Sequence, residues 1–111
     1  MNATMTTNGK MPKIVTCSFL RTHYACREQR REFAKLFRRG AVVNVKNVRL
    51  ALDHDLGLTW LMRVVLPRRS YDRLNKDLSA LRSQYLTSNM TADEHLDVQA
   101  AYYARYLNKW L

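Results

Sequence analysis

The stretch YDRLNKDLSALRSQY, residues 71–85, carries the most regular hydrophobic pattern in the chain. Its apolar and aromatic residues recur at alternating intervals of three and four, at Tyr71, Leu74, Leu78, Leu81 and Tyr85. That spacing places all of them on one face of an α-helix over two heptads. Because proline disfavours helical geometry in the residue before it, we expect this helix to begin after Pro67 and to run from about Arg68 to Leu86.

A second helix is predicted directly after the first. Thr91 and Glu94 have the spacing of a capping box, in which the side chain of each residue accepts a hydrogen bond from the backbone N–H of the other. This helix is expected to end at about Trp110, and its apolar residues follow a matching pattern: Leu96, Ala100, Tyr103, Leu107 and Trp110. Two helices with matching apolar faces and a short polar turn between them are expected to form an antiparallel hairpin.

The N-terminal half has a less decisive pattern. Residues 13–20 (KIVTCSFL) are rich in β-prone side chains, yet they can also be the first turns of a helix that continues to Arg39, and the pattern leaves both open. From Thr22, a residue type that caps helix N-termini, to Gly40, a residue type that ends helices, the chain is predicted to be helical. The apolar side of this helix is formed by Cys26, Phe33, Leu36 and Phe37.

Two short helices are predicted in the middle of the chain. Asn44 caps one that ends near Gly57, and Thr59 caps a nearly all-apolar one over residues 60–66. This order resembles a helix-turn-helix unit, but a recognition helix must present polar side chains to base edges, and Arg63 is the only charged residue here. We expect this helix to be buried. The predicted fold is all-α, or mainly α with at most one short N-terminal strand: a small helical bundle with a C-terminal antiparallel hairpin.

Length and composition indicate one domain. The chain has 111 residues, and we predict a disordered leader over residues 1–12 and a single helical domain over residues 13–111. Three Gly and two Pro residues are too few for a turn-rich β-sandwich. The leader lacks the apolar region of a secretory signal, and no apolar run approaches the roughly 20 residues of a membrane span. Two cysteines, Cys17 and Cys26, provide no disulfide framework, so the expected location is the cytoplasm.

Positive charge is the strongest feature of the composition. The chain has 19 Lys and Arg residues against nine Asp and Glu residues, which gives a net charge of +10. The excess is concentrated between Lys10 and Arg49, where eleven residues are basic and only Glu28 and Glu32 are acidic. A field of this kind attracts polyanions, whether nucleic acid, an acidic protein surface or anionic lipid, and it does not select among them.

Part of this charge forms a row along the helix predicted before Gly40. The residues of this basic row follow one another at intervals of four, four and three: Arg27, Arg31, Lys35 and Arg38. Such a row can contact phosphates or an acidic protein, or it can be a solvated face. Because two acidic residues cannot offset the excess, we predict a contact with DNA, RNA or an acidic partner. The predicted contact residues are Arg27, Arg30, Arg31, Lys35, Arg38, Arg39, Lys46 and Arg49.

The last predicted helix has more aromatic residues than one buried stripe requires. Aromatic residues interleaved with cations are typical of protein interfaces and of surfaces that stack on unpaired bases. A wide apolar face that completes the core is the equally weighted alternative. The candidate protein-interface residues, which we call the C-terminal aromatic surface, are Tyr102, Arg105, Tyr106, Lys109 and Trp110.

No catalytic or cofactor-binding motif is present in the sequence: it has no G-x-S-x-G elbow, no H-E-x-x-H pair, no phosphate loop and no dinucleotide fingerprint. The cysteines and histidines lack the spacing of zinc ligands. We therefore expect no enzyme, no metal and no cofactor. The predicted function is that of a small non-catalytic regulator in a nucleic-acid transaction, which touches DNA or RNA or docks on an enzyme that does. The alternative is a phage-type inhibitor or adaptor that binds a protein through the C-terminal aromatic surface and a basic face.

Overall fold

The computed structural model describes residues 13–111, and the predicted leader, residues 1–12, lies outside this range. Within it the chain forms six helices and one two-stranded sheet. In chain order the elements are β1 (Ile14–Val15), α1 (Cys17–Thr22), α2 (Arg27–Leu36), β2 (Ala41–Val42), α3 (Val45–Asp53), α4 (Leu58–Val65), α5 (Arg68–Thr87) and α6 (Ala92–Trp110). The predicted mainly α fold is confirmed.

The helices α5 and α6 form the predicted antiparallel hairpin. Near the turn, the rings of Tyr85 and His95 stack with their centroids 4.5 Å apart. Far from the turn, the Tyr106 hydroxyl donates a hydrogen bond of 2.8 Å to Asp77. The capping box is also present, because the Thr91 side chain accepts from the backbone N–H of the third helical residue and that residue's carboxylate accepts from Thr91. The capping box follows from a local sequence rule, whereas the contacts between the two helices depend on how the hairpin packs.

Helix α6 is the centre of the core, since it packs against α3 and α4 as well as α5. The side chains of Met62, Leu74 and Leu107, from α4, α5 and α6, are almost completely buried. The expectation that α4 is a core helix is confirmed for its inner face, although Arg63 is exposed. The boundary differs from the prediction, because α4 begins after Gly57 and not after Thr59. The two additional residues include Leu58, which is buried.

Residues 13–20 contain a two-residue strand and the start of a short helix that ends at Thr22, so they form neither a strand over the whole stretch nor the first turns of a helix to Arg39. Strand β1 pairs antiparallel with β2, with Val15 opposite Ala41, and α1 begins directly after Thr16, whose side chain caps it. Strand β2 was not predicted. It follows a turn in which Gly40 has φ +99°, and a Cβ there would lie 3.1 Å from the carbonyl oxygen of Val15. Glycine is therefore the residue that this close approach requires.

The long helix predicted from Thr22 to Arg39 is wrong in its bounds. A turn at residues 23–26 separates α1 from α2, the N-cap of α2 is Cys26, and α2 ends at Leu36. Leu20 and Phe33 are both buried. In one continuous helix, at about 100° per residue, they would lie roughly 140° apart around the axis. Breaking the helix allows both side chains to reach the same core.

Candidate nucleic-acid interface

The inner face of α2 packs against the core. Phe33 and Phe37 are buried, with ring centroids 5.2 Å apart. At the start of the helix, the Gln29 side-chain oxygen accepts a hydrogen bond of 2.6 Å from the backbone N–H of Gly57. These contacts fix which side of α2 faces outward.

The outward side of α2 carries the basic row. Arg27, Arg31 and Lys35 are exposed. At about 100° per residue, Arg31 and Lys35 each lie roughly 160° around the helix axis from Phe33, so the row is opposite the buried face. Among residues 13–111, the one ion pair of the row joins Lys35 Nζ to Glu32 Oε1 at 3.4 Å, and the two side chains are 66% and 44% exposed. An exposed pair of this kind contributes little to stability.

Two further arginines of this segment follow the helix. Arg38 and Arg39 lie in the turn between α2 and β2, and both are exposed. The predicted row of four is therefore three helical residues and one turn residue, all on the solvent side of the segment. Arg30 is different, because it is half-buried and its Nε atom is buried without a hydrogen-bond partner in the described part of the chain. Its side chain lies at the edge of the inner face.

Arg49 is not a free cation, which corrects its inclusion among the binding residues. Its guanidinium donates to Asp93 and Asp97 at 2.7 Å each and to Asp53 at 3.2 Å. These hydrogen bonds, with that to Asp93 the largest contribution, hold the pKa of Arg49 far above its ordinary value. The side chain is 22% exposed. Arg49 thus ties α3 to α6, whereas Lys46, one turn earlier on α3, is exposed.

The C-terminal aromatic surface is partly used by the fold itself. Tyr102 and Tyr106 are half-buried against the core, and Arg105 lies over the Tyr102 ring at 5.7 Å. Burial, and then the hydrogen bond to Asp77, raises the pKa of the Tyr106 hydroxyl. Of the five predicted interface residues, Trp110 is the aromatic one that remains open, at 40% exposure, with Lys109 Nζ 5.5 Å from its ring centre.

A cavity of about 370 Å³ lies under the inner face of α2, and the sequence analysis did not anticipate it. Its lining is almost wholly apolar, and Tyr24, Cys26 and Gly57 are exposed residues of its lining. The wall comes from both strands and four helices, together with Leu107 of α6. No local pattern could have revealed it, because the lining residues are distant in sequence. The cavity and the basic row lie on different sides of α2.

Tyr24 is the residue of this region that sequence reasoning missed. It is 90% exposed, and its backbone has a left-handed conformation, with φ at 65°. The spacing of three residues between Tyr24 and Arg27 was no signal, because helical periodicity does not hold across the turn at residues 23–26. The exposure of Tyr24 depends on the break between α1 and α2, which the sequence pattern did not indicate.

Three further findings concern relatives, membrane helices and metal ligands. Comparison with protein-family models, with curated proteins and with solved structures finds no match for this chain. Among the helices of residues 13–111, none combines the length and the apolar character that crossing a membrane requires. Over the same residues, no group of three or more His, Cys, Asp or Glu side chains is arranged to hold a metal ion.

Proposed function

We propose that this protein is a non-catalytic nucleic-acid-binding protein of the cytoplasm, and that it contacts the sugar-phosphate backbone through the basic row on α2. The observation that supports this proposal is the contrast between the row and Arg49. Arg27 and Arg31 are exposed, and neither has an ion pair among residues 13–111, whereas Arg49 is surrounded by three carboxylates. The cations of the row are thus available to an external anion.

Phosphate contacts explain why such a row need not read sequence. Arginine donors bind phosphate oxygens with charge-assisted hydrogen bonds, and these contacts position a protein on nucleic acid without identifying bases. Each neutralised phosphate releases a counterion, so the logarithm of the binding constant falls linearly with the logarithm of salt concentration. The expected slope is about 0.9 per phosphate on duplex DNA and about 0.7 on single strands.

The test compares two triple variants with the same charge change. Arg31→Ala, Lys35→Ala and Arg38→Ala together remove three cations of the row. Arg69→Ala, Arg73→Ala and Lys76→Ala remove three exposed cations of α5 at the same spacing of four and three. The row variant is expected to bind a labelled oligonucleotide at least tenfold more weakly in a low-salt anisotropy titration, with a salt slope smaller by about 2 to 3. The α5 variant is expected to bind nearly as the wild type does.

Two outcomes contradict the proposal. Equal losses in the two variants would show that net charge acts without a defined surface. No binding of DNA or RNA by the wild type at low salt would exclude direct contact altogether. Far-ultraviolet circular dichroism of both variants verifies that they are folded, as expected because exposed substitutions usually change stability by less than about 0.5 kcal/mol each.

A second candidate function, that of an adaptor or inhibitor which binds a protein partner, is favoured by Trp110. Tryptophan is enriched among the residues that dominate protein interfaces, and this one is 40% exposed beside Lys109. A photo-crosslinking amino acid at position 110 is expected to capture one protein species in the cell that produces the chain. The same group at position 86, where Leu86 is 69% exposed, is the control. Identical captures at both positions would contradict this candidate.

A further inference from the structure

Tyr24 occupies a backbone position that ordinarily suits glycine. Helix α1 ends in a Schellman motif: the N–H of Tyr24 donates to the carbonyl of Arg21 at 3.1 Å, and the N–H of Ala25 donates to the carbonyl of Leu20 at 2.9 Å. The motif needs a residue with positive φ after the helix, and Tyr24 supplies it with φ at 65°. For a residue with a bulky side chain this conformation is unfavourable.

The end of α3 shows the same motif with a better suited residue. There Asp55 has φ 55°, its N–H donates to the carbonyl of Leu52, and the N–H of Leu56 donates to the carbonyl of Ala51. Aspartate tolerates the left-handed region far better than an aromatic residue does. The comparison shows that the tyrosine ring is not a requirement of the motif.

The ring of Tyr24 contributes little to the stability of the fold. It is 90% exposed, more than any other large hydrophobic or aromatic side chain of residues 13–111. An aromatic side chain contributes to stability through the area that it buries, and this one buries almost none. An unfavourable backbone conformation together with an exposed aromatic ring indicates a functional role for that ring.

The place of Tyr24 relative to the basic row indicates what the ring contacts. Arg27 follows it by three residues, so their Cα atoms lie within about 11 Å of each other. Both residues are exposed, and Arg31 continues the row one helical turn further along α2. Tyr24 lies in the turn that precedes α2, at the helix end where the basic row begins with Arg27, and it is also one of the exposed residues that line the cavity on the other side of α2. Proteins hold single-stranded nucleic acid with exposed aromatic faces, on which bases stack, and with nearby cations that follow the backbone.

We infer that Tyr24 is a stacking platform for an unpaired base and that Arg27 and Arg31 hold the phosphates beside that base. The nucleic acid bound by the row is then single-stranded. In a duplex the base faces are covered by their neighbours, and a ring on the protein surface cannot reach them. This inference rests on the proposed function, which it makes specific for the type of strand.

The decisive variant is Tyr24→Gly, because it removes the ring and also relieves the unfavourable backbone conformation. A labelled single strand and the corresponding duplex are titrated with the wild type, Y24G and Y24F at the same low salt. Y24G is expected to have an equal or higher Tm than the wild type, about 5- to 150-fold weaker binding of the single strand, and unchanged binding of the duplex. Y24F is expected to bind the single strand as the wild type does, since it keeps the ring.

The control for loss of an exposed apolar side chain elsewhere is Leu86→Ala, which is expected to leave single-strand affinity unchanged, because Leu86 is 69% exposed and belongs neither to the basic row nor to the C-terminal aromatic surface. A lower Tm for Y24G would overturn the inference, because the ring would then stabilise the fold. So would an equal loss for single strand and duplex, or no loss for either. If the triple row variant lowers affinity while Y24G does not, only the stacking role is wrong. If the wild type binds neither nucleic acid, the proposed function fails as well.

Discussion

The arginines of α2 and the arginine between α3 and α6 differ in their ion pairing. Arg49 on α3 has carboxylates at all three nitrogens of its guanidinium, and two of those carboxylates belong to α6. Arg31 on α2 points to solvent on the side opposite Phe33. The same residue type thus joins two helices in one region and forms an open surface in the other. Arg49 is neutralised within the fold, whereas Arg27 and Arg31 of α2 are exposed and have no ion pair among residues 13–111.

The largest effect on stability is expected in the hairpin, at Leu74, which is 1% exposed on α5. Leu74→Ala is expected to lower the free energy of unfolding by about 2 to 5 kcal/mol, because it removes buried methyl groups and leaves a void. Urea denaturation measures the change. Leu86→Ala on the same helix is the matched control, since Leu86 is 69% exposed. A similar cost for both variants would show that α5 does not pack as described.

Arg49→Ala is expected to lower the Tm and to leave oligonucleotide affinity unchanged, because the side chain acts within the fold. Its removal leaves Asp93 and Asp97 of α6, together with Asp53 of α3, without the cation that pairs with them. Lys46→Ala removes the same charge from an exposed position of α3 and is expected to leave the Tm unchanged. Arg49→Lys is expected to restore the Tm only in part, since an ammonium group lacks the planar fork of the guanidinium.

Differential scanning fluorimetry and an anisotropy titration on the same samples separate the two roles of these cations. Loss of affinity in Arg49→Ala at an unchanged Tm would reverse the distinction between the regions and would return Arg49 to the binding surface.

The smallest effect is expected at Tyr106, whose hydroxyl donates to Asp77 across the hairpin. Tyr106→Phe is expected to cost about 1 kcal/mol at neutral pH, the usual contribution of one hydrogen bond. Because burial and this bond raise the pKa of Tyr106, the protonated hydroxyl is favoured in the folded state. The stabilisation is therefore complete below the ordinary tyrosine pKa of about 10 and is lost as pH rises through the higher folded value.

The measurement for Tyr106 is the difference in Tm between the wild type and the phenylalanine variant from pH 8 to pH 11. This difference is expected to shrink at the alkaline end of the range. Tyr102→Phe on the same helix is the control, since its hydroxyl has no side-chain hydrogen bond among residues 13–111. A difference that grows with pH would contradict the assignment of the bond.

Prediction from the sequence succeeded where the determining interactions are local. The spacing of Leu74, Leu78 and Leu81 identifies α5, and the Thr91 and Glu94 pair places the start of α6 correctly. The exposure of Arg27, Arg31 and Lys35 also follows from helical periodicity around Phe33. Each of these features depends on residues within a few positions of one another.

Prediction failed where partners are distant in sequence. Arg49 was assigned to the binding surface because it extends the basic segment, and its ion pairs were not foreseen because Asp93 and Asp97 lie 44 and 48 residues further along the chain. The break between α1 and α2 was missed because it serves to bring Leu20 and Phe33 into one core. The same break creates the exposed position of Tyr24.

The amino-acid sequence alone determined that the chain is mainly helical, that its last two helices form a hairpin, and that its positive charge belongs to the first half. These properties arise from periodicity and composition, which do not depend on the rest of the fold. The tertiary structure decided which of those cations are available. A charge is neutralised by the groups that folding brings near it, and for Arg49 these are carboxylates of α6, whereas the basic row faces solvent.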